Sequence, residues 1–331
     1  MSDTASLGPW VRRFLLEHLV SERNLAVNTR KSYRDTLALL LPFASEQQRK
    51  RIDQLRVLDL NPKLLRSFLE YLELKRQSSV RTRNQRLGAL HALARFIGEH
   101  SPEHVEWCAQ VRLIPYKKCS APLVGYMTEA EMQALLSVPD RRTVQGCRDY
   151  AVLLFLYNSG ARASEAASLH VQDIDLHARS VTILGKGGRR RICPLWAATL
   201  TTLHPFIDGR DQAEKLFLNR CGQPLTRFGI HTLVERTTEK ACVTEPSLRK
   251  KRVSPHLIRH STATHLLRAG VDINTIRGWL GHASLSTTNV YAEIDLETKK
   301  RALAACEPAL SHASRKPWKA NPGIMEFLKT L

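Results

Sequence analysis

A chain of 331 residues with a formal net charge of +19 has room for two domains of ordinary size and carries a surplus of cations that implies an anionic partner, nucleic acid first among them. Its seven cysteines are scattered with no Cys-x-x-Cys pair, which argues against a disulfide framework and a zinc ribbon and fits small buried thiols in a reducing cytosol. No apolar run is long enough to cross a bilayer, and none follows a basic start as a signal peptide would, so the sequence reads as a soluble, cytoplasmic protein with no membrane partner.

Residues 7 to 100 read as entirely helical. Trp10, Phe14, Leu15 and Leu19 share one apolar helical face. Asn28 or Thr29 is placed to cap a second helix that runs through Tyr33, Leu37, Leu40 and Leu41 to Pro42. Asn61-Pro62 opens a third, with a capping side chain before a first-turn proline, and Leu65, Phe68, Leu69 and Leu72 follow on its buried face. Ser78 or Ser79 opens a fourth, carrying Leu87, Leu90, Leu93, Phe96 and Ile97 inward. Its start interleaves Arg81, Arg83 and Arg86 with Thr82, Asn84 and Gln85. Arginines and short polar side chains at a helix start suit phosphate and base-edge contacts, so Arg81, Arg83, Asn84 and Arg86 are candidate DNA contacts.

Residues 101 to 127 lose this periodicity, with Pro102, Pro115, Pro122 and Gly125 among them, and read as a linker. Thr128 to Glu131 matches a capping box and starts the second domain. A helical pattern from Arg148 to Leu169 is broken at Asn158-Ser159-Gly160, and Arg162 and Glu165 lie just beyond the break. Val181 to Leu184, a glycine turn, and Arg189 to Pro194 read as a β-hairpin with Lys186 at its tip. A hairpin tip can enter a DNA groove, which adds Arg189, Arg190 and Arg191 to the candidate contacts. The Gly-Lys-Gly-Gly turn is not a P-loop, because it lacks that motif's spacing and following helix. Helical patterns resume at Trp196 to Ile207 and Phe228 to Ala241. A further helix runs from His256 through Leu266 to the turn at Ala269-Gly270, and another from Ile273 to Leu280, with Gly281 as C-cap. The end of the chain is broken by Pro308, Pro317 and Pro322 before Met325, Phe327, Leu328 and Leu331.

His256-x-x-Arg259 alone recurs by chance in many helices. His256, His260 and His265 supply no carboxylate or cysteine at metal-site spacing, so no metal is expected. The combination says more. Ser159-Gly160-Ala161-Arg162-Ala163-Ser164-Glu165, Lys186, His256-Leu257-Ile258-Arg259-His260, Leu280-Gly281-His282 and Tyr291, nine residues on, together resemble the active-site set of the tyrosine recombinases, the phage integrase family. Ala161 and Ala163 stand where larger apolar residues are common in the family, and Glu293 where a histidine often follows the tyrosine.

The resemblance implies a mainly α fold: a helical N-terminal core-binding (SAM-like) domain at 1–100, a linker at 101–127, a mixed α/β catalytic domain with a small β-sheet at 128–307, and a tail at 308–331 that either folds back on its own domain or, as in the family, links subunits. It implies a DNA strand-transferase with catalytic Arg162, Lys186, His256, Arg259, His282 and the nucleophile Tyr291, working without cofactor or metal. Its partner would be double-stranded DNA with inverted-repeat half-sites. It would be gripped by a C-shaped clamp on each half-site and a homo-tetramer, or a tetramer shared with related recombinases, on the bacterial nucleoid. First principles fit that set: strand transfer without metal needs a nucleophile that conserves bond energy and a cationic cradle for a pentacovalent phosphate. The expected errand is integration or transposition of a mobile element. Chromosome or plasmid dimer resolution, type IB topoisomerase chemistry and a catalytically idle DNA-binding scaffold are the alternatives.

Overall fold

The computed structural model describes residues 5–119, 125–185 and 187–281. Lys186, His282, Tyr291 and the tail from Pro308 to Leu331 lie outside the described residues. The chain divides into two compact units, Met1–Pro122 and Leu123–Leu331.

The first unit is helical throughout. Helix α1 (Leu7–Arg13) passes directly into a π-helical segment, Phe14–Glu22. Helix α2 spans Val27–Gln48, α3 Pro62–Leu74, α4 Val80–His100 and α5 Val105–Arg112. The cap signals act where the sequence put them for α3 and α4: Asn61 Oδ1 accepts the Leu64 amide at 2.9 Å, and Ser79 Oγ accepts the Thr82 amide at 3.2 Å. Phe14, Leu40, Phe68, Leu93 and Phe96 are among the side chains of one shared core, each contributing about 1.5–3 kcal/mol by burial.

Two expectations fail here for physical reasons. Helix α2 starts at Val27 behind Ala26 and runs through Pro42 instead of stopping there. Proline inside a helix costs about 3 kcal/mol. Leu37 and Leu40 are buried before it, Ala44 is buried after it and Phe43 packs on Phe68 and Tyr71, so burial on both sides of the proline offsets that cost. The stretch read as linker from residue 101 is part of the unit. Ser101 and His104 close a turn at 2.8 Å, α5 follows, and its Trp107, Cys108 and Val111 are buried. Trp107 Nε1 donates to the Leu60 carbonyl at 3.0 Å. Gly98 makes this packing possible, because a Cβ there would lie 2.7 Å from Cβ of Cys108.

In the second unit, α6 (Glu129–Ser137) begins with a reciprocal capping box between Thr128 and Glu131. Helix α7 (Val144–Ser159) buries most of its length and ends in Gly160, whose φ of +58° is the left-handed conformation that suits glycine. After α8 (Ala163–Ser168) comes an antiparallel sheet of β1 (Ile174–Asp175), β2 (Ser180–Leu184) and β3 (Arg190–Pro194), in that order. The β2–β3 hairpin pairs Val181 with Cys193 and Ile183 with Arg191, and Val181, Ile183 and Cys193 face the core. Strand β1, two residues long, left no periodic trace in the sequence. Helices α9 (Ala197–Leu203), α10 (Arg227–Ala241), α11 (Pro255–Arg268) and α12 (Ile273–Leu280) complete the described part. No helix among the described residues is long and apolar enough to cross a membrane.

Candidate active site

Arg162 and Arg259 are 97 positions apart in sequence, yet both guanidinium groups come to one carboxylate. Glu165, 4% exposed, sits in the first turn of α8. Its Oε2 accepts the Arg162 backbone amide at 2.9 Å, and its Oε1 accepts Arg162 Nη1 at 2.6 Å. Arg259 Nη1 lies 4.0 Å from Oε2. Arg191 Nη2 donates to the same Oε2 at 2.7 Å. Burial alone would raise the Glu165 pKa. The hydrogen bonds from Arg191 and from the Arg162 amide, with the charges around them, outweigh it and hold the carboxyl below its ordinary value.

Arg259 is almost wholly buried in α11, 1% exposed. Its Nη1 also donates to the Gly160 carbonyl at 2.6 Å, and its Nη2 to the Leu280 carbonyl at 2.6 Å. The fork is therefore fixed by backbone from two separate segments before any ligand arrives. Arg162 differs: its side chain is 32% exposed, so it is partly open to solvent where Arg259 is not. Planar, permanently charged forks held this way can bind two oxygens of a phosphate without reorganising.

The start of α11 is held just as firmly. Ser254 Oγ accepts the Leu257 amide at 3.3 Å, with Pro255 in the first turn. Three residues earlier, Lys251 Nζ donates to Glu131 Oε2 at 2.6 Å and to the Tyr126 carbonyl at 2.8 Å, which ties this end of α11 to the cap of α6. His256 stands exposed on the first turn, and its ring packs edge-on against His260, with centroids 4.9 Å apart. Burial, then the neighbouring His256 and Arg259 charges, push the His260 pKa down to about 4, so His260 is neutral near pH 7.

The hairpin approaches the same carboxylate. A Cβ on Gly185 would stand 3.6 Å from Glu165 Oε1, and the Gly185 amide donates to the Arg189 carbonyl at 2.8 Å to close the turn. Of the six candidate catalytic residues, the structure brings together Arg162 and Arg259 and places His256 one helical turn from Arg259; Lys186, His282 and Tyr291 fall outside the described residues. Among the described residues no three His, Cys, Asp or Glu side chains gather as a metal site.

The candidate DNA contacts divide. Arg81, Arg189 and Arg190 are exposed. Arg83 is not available: it is 6% exposed and donates to the Pro115 carbonyl at 2.9 Å and Asn84 Oδ1 at 3.0 Å. Asn84 in turn clamps the Lys117 backbone, donating to its carbonyl at 2.7 Å and accepting its amide at 3.1 Å. Arg86 is half-buried, and burial with the charge of Arg76 lowers its pKa. Arg191 is committed to Glu165 and to the Trp279 carbonyl, the latter at 2.8 Å from Nε. The sequence reading missed that inward turn. Its signal was the cross-strand pairing with Ile183: paired residues share a face, and Ile183 faces the core.

Residues 125–297 match the family model described as the phage integrase family, and residues 12–100 match the N-terminal SAM-like domain of phage integrases. The chain belongs to the phage integrase family. Family members, the tyrosine recombinases, are DNA strand-transferases, and this chain is one of them, with the SAM-like domain and the mixed catalytic fold in that order. A putative integrase/recombinase, y4rC, of Sinorhizobium fredii (strain NBRC 101917 / NGR234) is 35% identical over 334 residues, covering 100% of both chains. The tyrosine recombinase XerC of Roseiflexus sp. (strain RS-1) is 33% identical over 291 residues, covering 85% of this chain and 88% of its own. Among solved structures, the Tn1549 transposon integrase in complex with a circular intermediate DNA shares the fold at a TM-score of 0.69, with 16% identity over 89% of this chain and 99% of its own.

Proposed function

We propose that this phage integrase family member is a site-specific tyrosine recombinase that cuts and rejoins double-stranded DNA through a 3′-phosphotyrosyl intermediate. The observation that carries the reading is the seating of Arg162 and Arg259 on the buried Glu165 carboxylate, at 2.6 Å and 4.0 Å. With Arg191 on the same carboxylate, three guanidinium groups share one anion, so positive charge is left over, and a scissile phosphate is a ligand that forked donors match.

In this mechanism the Tyr291 hydroxyl attacks the scissile phosphorus and passes its proton to His256. The new bond links Tyr291 to the 3′-phosphate, and the bond to the 5′-oxygen breaks. Lys186 protonates that leaving oxygen, giving a free 5′-hydroxyl. Arg162 and Arg259 hold the non-bridging oxygens, and His282 donates a hydrogen bond to them. Rejoining is the reverse step: a 5′-hydroxyl from the partner duplex attacks the phosphotyrosine and releases Tyr291. The phosphodiester energy stays in the protein–DNA link, so no cofactor is required. Four protomers on two pairs of inverted-repeat half-sites complete the exchange, and the work is done in the cytoplasm, on the nucleoid.

The errand we assign is integration or transposition of a mobile element, because the end-to-end relative named an integrase/recombinase covers this whole chain. Resolution of chromosome or plasmid dimers is the second reading, on the ground of the relatives named tyrosine recombinase XerC. Reporter plasmids separate them: an element circle joined to a target supports the first, and dimers cut to monomers with no joining to a target supports the second.

The chemistry is tested on a suicide substrate that traps covalent protein–DNA complex. The wild-type chain is expected to form it. Tyr291→Phe is expected to form none while binding a half-site within about twofold of wild type, since only a hydroxyl is lost. Lys186→Ala is expected to lose about 10²- to 10⁴-fold on ordinary DNA and to recover when the 5′-bridging oxygen is sulfur, a leaving group that needs no proton. Covalent complex persisting in Tyr291→Phe overturns the assignment.

A further inference from the structure

Arg191 is the residue that joins three parts of the site. It lies on β3, and its side chain is 8% exposed. Nη2 donates to Glu165 Oε2 at 2.7 Å, and Nε donates to the Trp279 carbonyl in the last turn of α12 at 2.8 Å. A Cβ on Gly281 would meet its Cδ at 3.0 Å, and one on Gly185 would meet its Nη1 at 3.5 Å. Both glycines directly precede a candidate catalytic residue in the sequence: Gly185 precedes Lys186, and Gly281 precedes His282.

We propose that Arg191 is a positioning residue for strand transfer, which sets the hairpin turn, the Arg162–Glu165 pair and the end of α12 in one register through a single planar group. The claim rests on the recombinase reading above. Arg191 is assigned no phosphate contact; its Nη2 is held by Glu165 and its Nε by the Trp279 carbonyl. Its effect passes through Arg162. Glu165 Oε1 accepts Arg162 Nη1, while Oε2 accepts both the Arg162 amide and Arg191, so loss of Arg191 removes one of the two donors on Oε2 and loosens the carboxylate that orients the Arg162 side chain. The end of α12 adds a second constraint. Arg259 holds the Leu280 carbonyl and Arg191 the adjacent Trp279 carbonyl, so two arginines grip successive acceptors at the negative end of the helix dipole. Lysine cannot replace such a fork, because a point charge reaches only one of two acceptors set at a fixed angle.

The test compares full-length wild type, Arg191→Lys and Arg191→Met in three measurements: thermal melting, half-site affinity, and the single-turnover rate of covalent complex formation. The rate is measured on an ordinary scissile phosphate and on a methylphosphonate, in which one charged non-bridging oxygen is a methyl group. Positioning predicts a rate loss of about 10- to 100-fold on the phosphate in Arg191→Met, with half-site affinity held within about threefold. It predicts a smaller loss in Arg191→Lys, which keeps one of the two contacts. The loss must shrink on the methylphosphonate, where less charge needs the displaced Arg162. A general softening of the fold moves both substrates alike, so equal losses on the two overturn the proposal. Wild-type rates in Arg191→Met overturn it as well. So does joint loss of melting temperature and half-site binding in both variants, which makes Arg191 a folding residue only. If wild type itself forms no covalent complex, the recombinase reading fails instead, and the two failures are told apart by that control.

Discussion

Gly160 and Leu280 are tied to each other by the Arg259 guanidinium, which donates Nη1 to the carbonyl of the first and Nη2 to the carbonyl of the second, each at 2.6 Å. The two residues also touch directly: a Cβ on Gly160 would lie 2.5 Å from Leu280 Cδ2. Gly160→Ala therefore pays twice, with strain at a φ of +58° and with displacement of α12 from its arginine. The backbone part is about 1–2 kcal/mol. We expect a lower melting temperature and a fall of at least about 10-fold in covalent complex formation, because Arg259 loses a fixed acceptor. A variant that melts lower but cleaves at the wild-type rate would show that the bridge serves folding alone.

Arg81 and Arg83 are two residues apart and should behave oppositely. Arg81 is exposed at the start of α4, whereas Arg83 is buried against the Pro115 carbonyl. Arg81→Ala is expected to flatten the slope of log affinity against log salt by about 1 with no change in melting, as removal of one phosphate contact requires. Arg83→Ala is expected to leave that slope alone and to cost about 1.5–3 kcal/mol of stability, the range for a hydrogen bond to a charged group. Salt titrations of half-site binding beside urea melts check both, and a reduced slope in Arg83→Ala would contradict its burial.

Half-buried His260 of α11 gives the protein an acid-labile step. His260 has a folded-state pKa near 4 against an ordinary 6.5, because burial disfavours its charge. The unfolded chain therefore binds the extra proton first. Stability is fully present above pH 6.5 and is lost as pH falls toward 4. His91 and His265 are shifted the same way by burial and act in the same direction. The urea midpoint should fall across this window, and His260→Gln should make the fall shallower. A midpoint that rises on acidification would refute the burial of neutral histidine.

Deletion of Pro308 to Leu331 should leave single half-site binding intact and remove cooperative two-site assembly, with depressed cleavage. Met325, Leu328 and Leu331 recur at helical spacing, and so short an apolar stretch has too little surface to fold alone. Gel-shift analysis on one-site and two-site DNA reads the outcome. Two-site complexes as abundant as with the full chain would remove the tail as a subunit link, and loss of one-site binding would make it part of its own unit's core.

What the sequence disclosed follows the physics of each signal. Local signals read true: the Asn61 and Ser79 caps, the Thr128–Glu131 box, the Gly281 C-cap and the hairpin all depend on neighbours a few residues away. Signals that depend on tertiary burial did not. Helix α5 is only 8 residues long, with prolines on either side, and it is recognisable only once Trp107 finds the Leu60 carbonyl. Helix α2 passes Pro42 because packing beyond it outweighs a local rule. In the site, the arginine runs could be counted but not oriented. Arg83 and Arg191 turn inward while Arg81, Arg189 and Arg190 remain outside, and only the Ile183 pairing marked one of them in advance. The meeting of Arg162 with Arg259 at Glu165 is long-range in sequence, so spacing alone could not have announced it; the family resemblance implied a shared site for the two arginines, not the carboxylate between them.

Helix α5 also decides where the gene can be cut. The SAM-like match ends at residue 100, and a fragment stopped there would drop Trp107, Val111 and Ile114 from the core and leave the Leu60 carbonyl without its indole donor. The seam runs further still, since Arg83 holds Pro115 and Asn84 holds both backbone groups of Lys117. A shortened fragment would expose a greasy trough along α4 and stick to itself; one carried through Lys118 keeps its hem sewn.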